Sequence, residues 1–446
     1  MGDPKIALVV VSSPFEAGGE RAADTLSRAT ASLKRSAVEL LVAPEVVFDV
    51  ADAARVTRGW ADAKIDLLVI VHCSWVEDSL QFQLQREAGA PVMLWSRPEP
   101  ETYALASVKH FASIAQRTGL PYRWGQGEVD TAEFVDRVTA FAIPAAVARR
   151  FSHSRVALFT PRTAWRMAGP MDMSLDEWDL GSSLGVTLLH LDLEELVAEA
   201  GKEADSDARH ELDRHAPAYG HIQAADERML FSSKVYLAAK RMIDKYGLDA
   251  MAAACYPTHF GLVNLATSWL ADENFHFDPE GDVGSSVLAN AMLALKPKPV
   301  VLGEAVQLLR ESDSVLVRHE GSGPASLAAG PSEVYVVDLG EQNGTLIEYP
   351  LRKAAKMTAA TIAGGTGSYS LFVAELESKG IAIDEWEKRG RGFLGHVTAK
   401  GGGARLLDRM FDTGMDHHIL LQEGDQLAAL ADLAELWGLD LVRITE

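Results

Sequence analysis

The chain has 446 residues, of which 48% are apolar, and its formal net charge is −21 at pH 7. This length exceeds one ordinary hydrophobic core and suits two or three domains. The negative charge disfavours binding to nucleic acid or to an anionic membrane surface, and no basic cluster is dense enough to overcome it.

The cysteine content and the hydropathy of the sequence exclude further classes of protein. The two cysteines, Cys73 and Cys255, lie far apart in apolar surroundings, which argues against a disulfide framework or a thiolate zinc site. The apolar run that begins after Lys5 is too short for a secretory signal. No stretch reaches the ~20 apolar residues of a membrane span. We therefore expect a soluble cytoplasmic protein with no nucleic-acid or membrane partner.

The first third of the chain predicts a parallel sheet. Short apolar runs recur with room for a helix between them: KIALVVVSS, AVELLVAPEVV, IDLLVIVHCSW and APVMLWSRP. This alternation is typical of a doubly wound α/β domain, which we place at residues 1–148. His72 and Trp75 end the third run, where such folds place ligand contacts, so both are candidate substrate-binding residues. A packed strand end is the simpler interpretation.

The same alternation restarts in the middle of the chain. RVALFTPR and GVTLLHLDLEELV predict strands, a long helix is predicted from Asp226 to Tyr246, and LDAMAAACYP predicts another strand. We assign residues 149–297 to a second doubly wound α/β domain. It ends where Pro297 and Pro299 break the last helix.

After Pro299 the predicted strands become short and alternating, with glycine-rich turns between them. Examples are SDSVLVRHEG, SEVYVVDLG, GTLIEYPLRK, KMTAATIAGG and YSLFVAELE. They predict a β-rich, antiparallel, barrel-like domain at residues 298–446, closed by a final helix in GDQLAALADLAELWGL. The predicted fold class is α/β, with two doubly wound parallel-sheet domains followed by this β-rich domain.

Four segments carry polar side chains that packing alone does not require. They are HFDPEGDVGSS with Glu280, VVLGEAVQLL with Glu304, VLVRHEGSGP with His319, and FDTGMDHHILL with His417 and His418. Each has a simpler explanation, since carboxylates stabilise helix starts and buried histidines bond to the backbone. Adjacent strand residues face opposite sides, so at most one of the paired histidines should face a site. We expect Asp282 to cap a helix or orient a ligand, and Asp278 to be solvated.

As a set, these side chains offer oxygen and nitrogen ligands without thiolates. Such a set suits Mn²⁺ or Mg²⁺ better than a structural zinc ion. A divalent ion with open positions acts as a Lewis acid on a carbonyl oxygen, and a nearby carboxylate can take and return a proton. The glycine-rich segments AGGTGSYS and AKGGGARLL lack the context of a phosphate-binding loop, so we interpret them as turns or close backbone approaches.

The order of these motifs resembles the L-fucose/L-arabinose isomerase family. The resemblance rests on Glu-Gly-Asp before an apolar helix, LGEA, RHEGSGP about fifteen residues later, a glycine-rich stretch, and HH near the end. RVALFTPRTAWRMAGPMDMSLDEWDLGSSLGVTL resembles the opening of that family's middle domain. The resemblance covers most of the chain, although the first third matches in pattern only.

The resemblance implies a metal-dependent aldose–ketose isomerase, an intramolecular oxidoreductase that converts a monosaccharide through an enediol. It implies that Glu280 and Glu304 are the catalytic acids. The implied ligands of Mn²⁺ (or Mg²⁺ or Co²⁺) are these two with His319 and His418, and His417 is an alternative ligand or a substrate contact. It also implies a homo-oligomer, either a trimer or a hexamer. Pro279 and the RHEG sequence depart from the family's usual residues, which leaves the sugar open.

Two other functions remain open from the sequence. A non-catalytic sugar-binding or regulatory protein would use the same pair of α/β lobes. A metal-dependent epimerase or aldolase would share the enediolate chemistry. The pocket side chains that select a sugar, or a substituent at its C6, are not identified by any of these motifs.

Overall fold

The structure is a computed structural model that describes residues 2–160, 172–173, 175–256, 259–320, 323–339, 344–365 and 368–445. Two compact units divide the chain, residues 1–150 and residues 151–446. A further division of the second unit near residue 297 stays a prediction. Residues 161–171 of the segment that resembles the isomerase middle domain lie outside the described residues, as do Gly321 and Ser322 of RHEGSGP.

The first unit alternates strands and helices along its whole length. Its strands are β1 (Lys5–Val11), β2 (Glu39–Val42), β3 (Leu67–His72), β4 (Val92–Ser96) and β5 (Tyr122–Gln126). Its helices are α1 (Ala22–Leu33), α2 (Val50–Val56), α3 (Asp78–Ala88), α4 (Ala104–Thr118) and α5 (Ala132–Phe151), the last of which runs into the second unit.

These strands form one parallel sheet in the order β2-β1-β3-β4-β5. Every residue of β3 and β4 is buried, as a sheet covered by helices on both faces requires. The connections change direction between β1 and β3, which is the doubly wound arrangement predicted from the sequence. Trp95, Phe111 and Phe134 are among the largest fully buried side chains of this unit.

The second unit begins with helices and short parallel strands. In this part the strands are β6 (Arg155–Thr160), β7 (Thr187–Asp192), β8 (His221–Ile222), β9 (Ala250–Ala253) and β10 (Phe277–Asp278). The helices are α6 (Glu177–Leu184), α7 (Leu193–Ala200), α8 (Asp205–His215), α9 (Asp226–Tyr246), α10 (Asn264–Asp272) and α11 (Val283–Leu295). The long helix predicted from Asp226 to Tyr246 is confirmed. A four-stranded parallel sheet runs in the order β10-β9-β6-β7.

The rest of the second unit is rich in strands. They are β11 (Val300–Leu309), β12 (Ser314–His319), β13 (Tyr335–Leu339), β14 (Gly344–Pro350), β15 (Ala354–Gly365), β16 (Ser368–Ser378), β17 (Phe393–Ala399), β18 (His418–Glu423) and β19 (Asp440–Arg443). Three helices interrupt them: α12 (Ile383–Lys388), α13 (Gly403–Thr413) and α14 (Leu427–Trp437).

Most of these strands pair antiparallel and close into a barrel, as the sequence predicted. The closed path runs β16-β15-β18-β11-β12-β17 and returns to β16 through an additional β16–β17 pairing. One expectation was wrong in detail. The final helix does not close the chain, because β19 follows it and pairs parallel to β16. Glu304 lies inside β11, which continues to Leu309.

One continuous apolar core joins the small parallel sheet to the barrel in the second unit. It includes Trp269 of α10, Phe277 of β10, Tyr349 of β14 and Phe393 of β17. Phe277 directly precedes the Asp278–Asp282 turn, so its burial holds that turn against the barrel strands. Among the described residues, no helix combines the length and the apolarity that a bilayer-spanning segment needs.

Candidate metal centre

Three adjacent barrel strands bring distant parts of the sequence together. Glu304 lies in β11, opposite His418 at the start of β18 and opposite Arg318 of β12 on the other side. His319 follows Arg318 and ends β12. Directly opposed residues of antiparallel strands have Cβ atoms about 5 Å apart, so strand register alone places Glu304 beside His418.

The fourth residue, Glu280, comes from the turn between β10 and α11. The Oδ1 atom of Asp278 accepts hydrogen bonds from the backbone N–H of Glu280 at 2.9 Å and of Asp282 at 2.8 Å. Gly281 has φ of 84°, a conformation that glycine adopts without strain. The expectation that Asp278 is solvated was wrong, because its side chain is completely buried. It shapes the turn that presents Glu280.

One ligand atom from each of Glu280, Glu304, His319 and His418 lies within 4.8 Å of the others. The Nε2 atom of His418 is 3.5 Å from Oε2 of Glu280 and 3.7 Å from Oε1 of Glu304. The Nε2 atom of His319 is 3.6 Å from Oε1 of Glu280. These separations exceed ordinary hydrogen bonds, but they match the ~3–4 Å between neighbouring ligands of one divalent ion.

Charge favours a cation at this position. Burial disfavours protonation of His418, yet the carboxylates of Asp282, Glu280 and Glu304 outweigh it and raise its pKa to about 12. Burial likewise opposes ionisation of Glu280, but the facing His418 imidazole lowers its pKa. The same imidazole also lowers the pKa of Glu304. The surplus of carboxylates therefore attracts a positive charge, which a divalent ion supplies more fully than a proton.

A buried carboxylate orients His418, the most deeply buried member of the cluster. The Nδ1 atom of His418 donates to Oδ2 of Asp282 at 2.8 Å, which leaves Nε2 directed at the two glutamates. Metal-binding histidines usually carry such a partner, because it fixes the tautomer and the ring orientation. The other oxygen of Asp282, Oδ1, accepts from the backbone N–H of Ser285 and caps α11. The expectation that Asp282 caps a helix is confirmed, and its role in orienting a metal ligand stays a prediction.

His417 lies beside the cluster but is not one of its four members. Its ring centroid is 4.3 Å from that of His418, and its side chain is 36% exposed, compared with 1% for His418. Asp172 accepts hydrogen bonds from Nδ1 of His417 at 2.6 Å and from its backbone N–H at 3.1 Å. Burial opposes ionisation of Asp172, but these hydrogen bonds lower its pKa.

The remaining candidates, His72 and Trp75, lie in the first unit. His72 is completely buried, with Nδ1 3.3 Å from the carbonyl oxygen of Trp95 and Nε2 2.9 Å from the side-chain amide of Gln81. Trp75 is half-buried and stacks on His110 with ring centroids 6.2 Å apart. Both nitrogen atoms of His72 are thus engaged by protein groups. Contact of either residue with substrate stays a prediction.

The sequence interpretation missed two acidic residues near this site, Asp172, which bonds to His417, and Asp416. Burial and the charges of Asp172 and Asp282 raise the pKa of Asp416 to about 7. Asp416 directly precedes the paired histidines, which was a usable signal. Asp172 is 245 positions from His417, and no local pattern connects them.

No family model matches the chain. It is similar to two curated proteins named sulfoquinovose isomerase, from Priestia aryabhattai and Priestia megaterium. Each alignment has 22% identity over 417 residues and covers 90% of this chain and 90% of the relative. The prediction that the chain is an enzyme is confirmed by this near full-length similarity.

Comparison with solved structures adds no argument about function. A periplasmic solute-binding protein of an ABC transporter from Actinobacillus succinogenes, with bound D-allose, has 12% identity and a TM-score of 0.18. The match covers 66% of this chain and 92% of that chain. A solute-binding protein from Burkholderia multivorans gives the same identity and TM-score, with 66% and 93% of the two chains covered. Scores this low do not establish a common fold.

Proposed function

We propose that this protein is a metal-dependent aldose–ketose isomerase. The observation that carries the proposal is the convergence of Glu280, Glu304, His319 and His418 within 4.8 Å. The similarity to sulfoquinovose isomerases supports it independently, because it extends over nine-tenths of the chain. Two carboxylates and two imidazoles fit Mn²⁺, with Mg²⁺ or Co²⁺ as alternatives, and the carboxylate surplus around His418 favours such an ion.

A bound divalent ion would supply Lewis acidity, which stabilises negative charge on the sugar oxygens while the C–H bond next to the carbonyl breaks. The two glutamates do the proton chemistry. Glu304, whose side chain is 37% exposed, is the more accessible, and Glu280 is 18% exposed. In the proposed reaction one carboxylate takes the proton from C2 of the open-chain aldose and returns it to C1, while the proton of the O2 hydroxyl passes to O1.

The protein also limits side reactions of the enediol. His319 and His418 are 3% and 1% exposed, so the inner side of the cluster is shielded from water by the barrel core. Among the described residues at the cluster, Glu304 and His417 are the more exposed, at 37% and 36%. A sugar therefore reaches the cluster from their side, with its C1 and C2 nearest the carboxylates. Exclusion of water protects an enediol from loss or misplaced protonation.

The substrate proposed for the first assay is sulfoquinovose, an aldose with a sulfonate at C6, since both curated relatives carry that name. Metal-stripped protein should be inactive on it and regain turnover with Mn²⁺. The same ion should raise the melting temperature. A panel of unsubstituted aldoses then shows whether the sulfonate is required.

The decisive variant is Glu304→Gln, which keeps the side-chain volume but removes the charge. We expect it to fold, to lose most of the Mn²⁺-dependent rise in melting temperature, and to lose turnover by at least ~100-fold. Glu375→Gln is the matched control, because Glu375 is also a strand glutamate but is half-exposed on β16. If wild-type protein with Mn²⁺ isomerises no aldose, the proposal fails. Release of a C2 epimer or of cleavage fragments would instead favour an epimerase or an aldolase.

A further inference from the structure

The Asp172–His417 pair lies at the solvent side of the four-residue cluster. The carboxylate of Asp172 accepts from both the ring Nδ1 and the backbone N–H of His417, which fixes the ring in one orientation. Because Nδ1 donates to Asp172, the neutral ring carries its lone pair on Nε2. A histidine held in this way by a carboxylate is arranged to accept and return protons through the opposite nitrogen.

The proposed isomerisation also requires that the sugar ring opens first, and neither glutamate has been assigned that step. An aldose in water is almost entirely a cyclic hemiacetal, in which C1 is bonded to the ring oxygen O5 and carries no carbonyl group. The proton on C2 becomes acidic only after the ring opens to the aldehyde. Ring opening needs a base for the O1 hydroxyl and an acid for O5, so an enzyme that binds the cyclic form gains from an additional acid–base group.

We propose that His417, oriented by Asp172, is the acid–base residue that opens the sugar ring before isomerisation. This inference rests on the proposed isomerase function. The Nε2 atom takes the proton from the O1 hydroxyl, the C1–O1 bond becomes a carbonyl, and the C1–O5 bond breaks. O5 takes a proton from a water molecule, and the hydroxide that remains takes the proton back from His417. The open-chain aldose is an isomer of the cyclic form, so no atoms are gained or lost. The water molecule and His417 end in their starting protonation states.

Position and exposure support this assignment for His417. Its ring centroid is 4.3 Å from that of His418, so His417 is adjacent to the cluster at which the proposed isomerisation takes place. The ring is 36% exposed, whereas the inner ligand His418 is 1% exposed and is already held by Asp282. His417 therefore combines access to substrate with a fixed tautomer, and His418 lacks that access.

The experiment measures ring opening separately from isomerisation. With wild-type protein, Mn²⁺ and sulfoquinovose, NMR magnetisation transfer should show exchange between the α and β anomers faster than the uncatalysed rate. His417→Gln and Asp172→Asn should remove this acceleration, and His417→Gln should lower turnover of sulfoquinovose by ~100-fold or more. Turnover of D-glyceraldehyde, a three-carbon aldose that forms no such ring, should change by less than ~3-fold.

The matched control is His190→Gln. His190 is also a solvent-exposed histidine paired with a carboxylate, since its Nε2 lies 2.6 Å from Glu177. This variant should behave as wild type in every assay. A Mn²⁺-dependent rise in melting temperature shows that each variant is folded, and Asp172→Asn serves as the second variant if His417→Gln fails to fold.

Three outcomes would overturn the inference. Anomer exchange at the wild-type rate in both variants would exclude ring opening by His417. Equal loss of sulfoquinovose and glyceraldehyde turnover would assign His417 to the isomerisation step or to structure. Failure of wild-type protein to isomerise any aldose would remove the proposed function and this inference with it, and wild-type activity distinguishes that result from the first two.

Discussion

Nδ1 of His418 donates a 2.8 Å hydrogen bond to Oδ2 of Asp282, and both side chains are buried. The same carboxylate caps α11 through Oδ1, so one side chain joins the helix start to a barrel strand. The two residues are 136 positions apart. Their contact ties the turn that carries Glu280 to the strand that carries His418, which keeps the cluster in one arrangement.

Asp282→Asn should separate the two tasks of this carboxylate. The amide oxygen still accepts from Ser285, so the α11 cap is retained, but the charge that orients His418 is lost. We expect Mn²⁺ affinity to fall by ~10–100-fold, measured by titration calorimetry. Asp282→Ala should cost about 1 kcal/mol more in the free energy of unfolding, because the cap is also lost.

The control for that experiment is Asp176→Asn. Asp176 caps α6 by accepting from the backbone N–H of Asp179 at 2.9 Å, in the same way that Asp282 caps α11. Its variant should leave Mn²⁺ affinity unchanged. Wild-type affinity in Asp282→Asn would show that the charge on this partner does not matter for His418.

Asp278 should matter to the site through its backbone contacts. Its Oδ1 atom accepts from two backbone N–H groups, the part-buried one of Glu280 and the buried one of Asp282. Asp278→Ala leaves both N–H groups without an acceptor and should lower the free energy of unfolding by ~2–4 kcal/mol. Asp278→Asn keeps the acceptor and should cost less than half as much. Burial, together with the charge of Asp282, raises the pKa of Asp278 to about 7, so a neutral side chain is already accommodated. If urea unfolding shows that Asp278→Ala and Asp278→Asn lose the same free energy of unfolding, the hydrogen bonds accepted by Asp278 do not explain the loss.

The sequence indicated the residues that the barrel brings together, but it did not predict the strand order of the barrel. Glu304 and His418 were identified by residue type and by resemblance, yet their contact depends on the β11–β18 register, which is not encoded locally. The Asp278–Asp282 turn is local and was partly predicted. Burial of Asp278 was missed, because it results from packing around Phe277, and that packing involves distant strands. Asp172 was missed for the same reason.

Gly303 should be essential for the position of Glu304. A Cβ atom at Gly303 would lie 2.3 Å from Cγ1 of Val317 on the neighbouring strand β12. Gly303→Ala should therefore push β11 and β12 apart, destabilise the protein by ~1–3 kcal/mol and weaken Mn²⁺ binding. Val317→Ala removes the contacting methyl group, so the double variant should recover much of the lost affinity. Gly330→Ala, where the added atom has no neighbour within 4 Å, is the control. If the double variant does not recover Mn²⁺ affinity, the loss in Gly303→Ala does not come from the contact with Val317.

His72 should make the first unit sensitive to acid. Burial lowers its pKa from 6.5 to about 4, so the folded state binds a proton less readily than the unfolded state. Its contribution to stability is complete above pH 6.5 and is lost as the pH falls towards 4, amounting to about 2 kcal/mol between pH 7.5 and 5. In urea titrations at these two pH values, His72→Gln should be less stable than wild type at pH 7.5 but should lose less stability on acidification. Other titrating groups are present in both wild type and His72→Gln, so their effects cancel when the two losses of stability are compared. If wild type and His72→Gln lose the same free energy of unfolding between pH 7.5 and 5, another group causes the acid sensitivity. His72 would then contribute only by packing in its neutral form.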